Sequence, residues 1–293
     1  MTTNHAALTA SPPRAPHFGS ALRGEVMLTR RRTAVWVSLG VWGACIVLFA
    51  YLVSYLTTAG ADWYTAEQQD QILHAMLPQA AAYYPLASLP LYGAPQFAIL
   101  GAILGASDYA RGTIRTIVSR FPHRASLVAA RLVNVGLIAA LAAVITLAAS
   151  ILSSIGVALA TDGSIGFPPF GDLTLAWLAI CLSAVTFIAL GFAVGTLTRS
   201  ALAAVVIAVV WVLGVESLAI GLLAPVTPFL ATVQGLLPVG ATSSLAAGLV
   251  PDAQTLAGVA AVTSPGTAIA VLIGWTVVAG ATSWILFTRR DLG

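Results

Sequence analysis

Five arginines crowd one internal stretch, DYARGTIRTIVSRFPHRASLVAAR, which runs from Asp108 to Arg131 between two hydrophobic runs. They are Arg111, Arg115, Arg120, Arg124 and Arg131, and no other internal segment is as rich in charge. Thr113 is placed to cap a short helix by accepting from the free backbone N–H groups of the next turn. Ile114, Ile117, Val118 and Phe121 recur at i, i+3, i+4 and i+7, which is one face of a helix. Arg115, Thr116, Ser119 and Arg120 take the other face, while Asp108, Arg111 and Gly112 lead into it. Pro122 stops the helix, because a proline has no N–H to continue the ladder and its ring clashes with the preceding turn. A short amphipathic helix between two membrane spans can receive force from a soluble partner and pass it into the membrane. An interfacial helix that only anchors its loop satisfies the same pattern.

The remaining chemistry is sparse. Glu216, in WVLGVESLAIG, is the one ionisable side chain inside an apolar run. An acid left unpaired in hydrocarbon is costly, so it either meets a substrate or proton or bonds a neighbouring element. The structural role is the favoured expectation, with Glu216 capping or hydrogen-bonding the first helix of the segment after it. A phosphate-cradling G-x-x-x-x-G-K-[ST] loop needs a lysine, and the chain has none, which excludes a P-loop ATPase. Gly105-Ala106-Ser107-Asp108 has the outline of the G-x-S of a serine hydrolase or intramembrane protease. Such a serine needs a base, and His5, His17, His74 and His123 all lie outside the apolar runs. There is no H-E-x-x-H and no cluster of carboxylates in the spans for a proton relay. Cys45 and Cys181 sit inside apolar runs and read as small hydrophobes, not as a zinc site. No catalytic residue, metal site or cofactor is expected on the chain itself.

The elements that position these residues follow from composition. Of 293 residues, 59% are hydrophobic and 8% charged, with a mean hydropathy of +0.94; soluble domains carry about 25% charged residues. So few charges leave a surface that must face lipid. All thirteen basic residues are arginine, and each lies outside or at the end of an apolar run. The net charge of +3 therefore reports orientation in a membrane and not a nucleic-acid surface.

Residues 1–17 are polar and proline-rich and read as a disordered cytoplasmic tail. From Phe18 to Arg32, FGSALRGEVMLTRRR reads as an amphipathic helix along the inner leaflet. Leu22 and Val26 share a face, and Arg23, Arg30, Arg31 and Arg32 reach lipid phosphates. The run from Thr33 to Leu56 outlasts the roughly 7–15 apolar residues of a signal core and is long enough to cross ~30 Å of hydrocarbon. Further spans are expected over Pro85–Ser107, Ser126–Ala160, Leu173–Leu197, Ala201–Leu223 and Thr263–Phe287. The acidic Thr57–Tyr84 and the turn Thr161–Asp172 join spans on the outer side, and Thr198-Arg199-Ser200 is a tight inner turn. Residues 224–262 are apolar but broken by Pro225, Pro228, Pro238, Gly240 and Pro251, as short re-entrant helices of the outer leaflet would be. The expected fold is all-α and integral to the membrane, one six-span domain over residues 18–293. An even number of spans puts both termini, and every arginine, on the cytoplasmic side. Gly101/Gly105 and Gly191/Gly195 are small-xxx-small pairs that support close helix packing.

At this point the chain resembles the membrane subunits of ABC exporters of the type-2 permease class. The resemblance rests on Gly101-Ala102-Ile103-Leu104-Gly105 running into Asp108-Tyr109-Ala110-Arg111-Gly112-Thr113-Ile114-Arg115. That is similar to the family's span followed by an acidic-Tyr-x-x-Gly-Thr-Ile/Leu-Arg loop. Ser119-Arg120-Phe121-Pro122-His123-Arg124 stands where the family has a Ser/Pro/Arg turn, and Arg131 leads into the next span. Leu22-Arg23-Gly24-Glu25 before a basic run resembles the family's interfacial connecting helix, and Arg289-Arg290-Asp291-Leu292 its short cytoplasmic tail. Asp108 replaces the family's usual glutamate and Arg131 a frequent lysine, both with charge kept.

The resemblance implies a coupling helix over residues 108–124 on which a separate cytoplasmic ABC ATPase subunit docks, with ATP and Mg held by that partner. It also implies a second permease subunit, identical or homologous, in a bacterial plasma membrane. The cargo would be hydrophobic or amphipathic: a drug, lipid or peptide. The chain itself would be no enzyme. A secondary transporter or channel without an ATPase is the alternative, and its signature would be intramembrane charges and matching broken helices in two repeated halves.

Overall fold

The computed structural model describes residues 18–60, 62, 64–110, 124–250 and 259–289. Every regular element among them is a helix. In hydrocarbon no water is present to meet a free N–H or C=O, so an apolar run closes its backbone hydrogen bonds on itself. Among the described residues, six helices are long and apolar enough to cross a membrane: Thr33–Thr58, Tyr84–Ser107, Ala125–Ala160, Phe170–Thr198, Ala201–Val226 and Pro265–Arg289. They make the chain a multi-pass membrane protein in outline, with ends a few residues from those of the apolar runs.

The second and fourth spans form the buried centre. Their small residues explain the contact. A side chain at Gly101 would collide with the Ile188 carbonyl, and one at Gly191 with the Ala98 carbonyl. Gly105 and Gly195 repeat the arrangement one turn on, against Phe192 and Ala102. The two small-xxx-small pairs therefore face each other within one chain.

Polar side chains stitch the spans to one another. The Trp42 indole donates to Thr146 Oγ1 at 2.7 Å, and Gln96 Nε2 donates to Ser38 Oγ at 2.9 Å. The Tyr51 hydroxyl shares a 2.6 Å bond with Ser150, and Thr186 one of 2.9 Å with Thr276. Each bond joins a pair of different spans, where shape-fitting and hydrogen bonds replace the hydrophobic effect as the source of association. Exposed Val37, Leu48 and Leu56 on the first span and Val277 and Val278 on the sixth show apolar flanks facing outward.

Two stretches depart from the sequence expectation. The acidic link after the first span contains a helix, Ala66–Ala75, started by a capping box in which Thr65 and Gln68 bond each other's backbone. Beyond it Met76, Leu77, Ala81 and Ala82 are buried, so this link is part of the core. The fifth span continues past Leu223 to Val226, and its turns widen to π-helical spacing over Val210–Ile220. After it come Pro228–Leu236 and Pro238–Leu249, bent by 84° where the extended Leu237 precedes Pro238. The fourth span ends on Arg199 in the left-handed region (φ 56°), and Ser200 starts the fifth by accepting from the Ala203 N–H.

Candidate functional site

The candidate coupling residues divide sharply. Asp108 lies in the last turn of the helix Ala94–Ala110, which carries the second span. Arg111, Gly112, Thr113, Ile114, Arg115, Ile117, Val118, Arg120 and Phe121 lie outside the described residues. What the structure gives is the ground on both sides of them.

On one side Tyr109 stands in the helical turn just past the second span, and on the other Arg131 stands about two turns into the helix of the third. Phe287, at the end of the sixth span, lies between them. Its ring meets Tyr109 edge-on at 6.4 Å, and the Arg131 guanidinium lies 4.9 Å from its centre. Arg199, from the turn between the fourth and fifth spans, sits over the Tyr109 ring, 5.4 Å from its centre. Cations over aromatic faces are held by the ring quadrupole, most strongly where water is excluded. Phe287 packs with buried Leu127 and Val128, so the junction has a dry centre.

Arg131 also donates from Nε to Glu25 Oε1 at 3.0 Å, and both side chains are buried. Glu25 belongs to the leading helix Phe18–Arg31, and Asn134 Nδ2 adds a second tie to that helix through Thr29 Oγ1 at 2.7 Å. The helix was expected to place Leu22 and Val26 on one face. It buries Ala21 and Glu25 more deeply, leaves Leu22 and Val26 half-buried, and exposes Arg23. The pairing of Glu25 with Arg131 was missed because periodicity names a face and not its partner. An acid on the inward face of an amphipathic helix was the available signal.

Glu216 lies at the opposite end of the bundle from this junction. Only 3% exposed, it stands in the wide turns of the fifth span, with the Trp211 side chain beside its carboxyl group. Oε2 accepts from the Val239 N–H at 2.8 Å. Val239 is in the first turn of Pro238–Leu249, where a carboxylate suits both the free N–H groups and the helix dipole. The capping role expected at the first helix after the fifth span thus goes to the second. Oε1 is buried and has no hydrogen-bond partner among the described residues. The residue lines a cleft of about 340 Å³ between the second span, the fifth span and the helix pair.

Other chemistry-bearing residues are occupied structurally. Ser107 is buried and donates to the Leu104 carbonyl at 3.0 Å. Cys45 and Cys181 are unpaired and half-buried. Near the acidic end, the Tyr83 hydroxyl donates to Asp172 at 3.0 Å. Burial, reinforced by that carboxylate, pushes the Tyr83 phenol up to about 12.

No curated protein and no solved structure matches the chain. Residues 89–293, from the second span to the end and including both Glu216 and the arginine-rich segment, match the family described as "Protein of unknown function (DUF2705)". That match covers well over half of the sequence, and the chain therefore belongs to the DUF2705 family.

Proposed function

We propose that the chain is the permease subunit of an ATP-driven exporter of the type-2 ABC class, moving a hydrophobic or amphipathic substrate outward. The observation that carries this reading is the wiring of the two flanks of the arginine-rich segment. Tyr109 and Arg131 meet through Phe287, and from them contacts reach Arg199 and Glu25, so four spans and the leading helix share one junction. A push on residues 108–124 from a cytoplasmic ATPase would be delivered to all of these at once. The ATPase would hold the ATP and Mg, and a second permease subunit would complete the path.

In the same reading, both termini and all arginines face the cytoplasm of a bacterial cell and the leading helix lies along the inner leaflet. The bent pair Pro228–Leu249 re-enters the outer leaflet. The test is reconstitution of the chain with its ATPase in proteoliposomes. Arg115→Glu and Ile117→Asp should each uncouple ATP turnover from transport while membrane insertion stays intact. Normal coupling in both would defeat the docking assignment.

One observation favours a second reading, a secondary transporter without an ATPase: the buried carboxyl of Glu216 beside a cleft. Transport that persists with no nucleotide-hydrolysing partner would select it.

A further inference from the structure

We propose that the cleft beside Glu216 binds a primary ammonium group carried on a single apolar chain, the ammonium donating to Glu216 Oε1. The site is defined by the protein's own groups and does not depend on what powers transport.

The carboxyl group is half satisfied. Oε2 is engaged by the Val239 N–H, while Oε1, with the Trp211 side chain beside the group, is buried and without a hydrogen-bond partner among the described residues. A carboxylate offers about four acceptor positions, and a buried acceptor with no donor forfeits its hydration for nothing. If Oε1 carried a proton, that proton would lack an acceptor in the same way. Among the described residues no donor meets Oε1, which leaves it open to a donor brought by a ligand, and a buried negative charge is met best by a donor that is also a cation.

The rest of the cleft sets the shape of the ligand. Leu91, Leu222, Leu237 and Val259 give it apolar walls, and Ser217, Gln234 and Ser243 are the other polar side chains along it. Leu91 and Leu222 are themselves exposed on the flanks of their spans, so an apolar chain can enter from the side. About 340 Å³ holds roughly a dozen non-hydrogen atoms if each takes about the 30 Å³ of a liquid water. A ten-carbon alkylammonium is of about that size. Charge favours the same class. Asp62, Glu67, Asp70 and Asp162 lie in the links at this end, and no arginine does. Such an acidic rim raises the local concentration of cations.

The test is saturable binding of radiolabelled decylammonium to the full chain in lipid nanodiscs, with empty nanodiscs subtracted. Decyltrimethylammonium keeps the charge without a donor, and decanol keeps a donor without the charge. Glu216→Gln retains an oxygen for the Val239 N–H and should weaken decylammonium binding about thirty-fold or more. Gly221→Leu supplies a second variant. A side chain there starts from ordinary contact distances, 3.5 Å from the Glu216 carbonyl oxygen, and grows into the cleft while leaving the carboxyl untouched. It should lower affinity at least ten-fold, as should either change of head group in the native chain. Equal affinity for decanol and decylammonium, or undiminished binding by either folded variant, would overturn the proposal, as would no saturable binding to the native chain.

Discussion

Arg131 and Glu25 stand 106 residues apart in sequence and meet as a buried ion pair at 3.0 Å. The same guanidinium lies 4.9 Å from the centre of the Phe287 ring. One side chain thus joins the leading helix, the third span and the sixth, close to the arginine-rich segment. A buried pair of this kind is stabilising only while both partners are present.

Removing one partner strands the other charge. Glu25→Leu or Arg131→Leu should each lower stability by about 3 kcal/mol or more. The double replacement should cost clearly less than the sum of the two. Thermal unfolding of the four proteins in one detergent gives the double-mutant cycle. Strict additivity would mean that the pair is not coupled.

The contact between the second and fourth spans has no room for a side chain at its closest points. Gly101→Val and Gly191→Val should each destabilise the bundle by at least about 2 kcal/mol, since overpacking here pushes on backbone. Gly136→Ala in the third span is the control, because a side chain there meets nothing within 4 Å. Detergent-solubilised yield and melting temperature would report both. A tolerated Gly101→Val would contradict the facing arrangement.

Tyr83 gives the fold a dependence on alkaline pH. Its phenol is held up at about 12 by burial and by Asp172, above the ordinary value near 10. The neutral form is the one favoured by folding. Its stabilising contribution is therefore fully present below about pH 10 and is lost as pH rises through about 12. The tyrosinate absorbance of native protein minus that of Tyr83→Phe should titrate near 12. Asp172→Asn should bring that midpoint down. A difference curve centred at 10 would contradict the burial and hydrogen bond.

The spans were legible because an apolar run in lipid has essentially one way to satisfy its backbone. Thr198-Arg199-Ser200 placed the turn between the fourth and fifth spans for the same reason, as a polar tripeptide between two such runs. Partner choice was not legible. The glycine pairs were visible, but their spacing cannot say that Gly101 faces Ile188 and Gly191 faces Ala98. Glu216 was visible as a buried acid, while its bond to Val239 depends on the 84° bend after Leu236, a tertiary feature. The helix Ala66–Ala75 could have been found, since Thr65 and Gln68 carry its capping signal; the acidic composition of the link obscured it.

The direct test of the central claim is co-purification of the full chain from its native membrane, followed by identification of what comes with it. The account predicts that a nucleotide-hydrolysing ABC subunit accompanies the native chain and is lost from Ile117→Asp, with the mutant still inserted in the membrane. A native chain that carries no ATPase, or an Ile117→Asp chain that keeps it in full, would contradict the account.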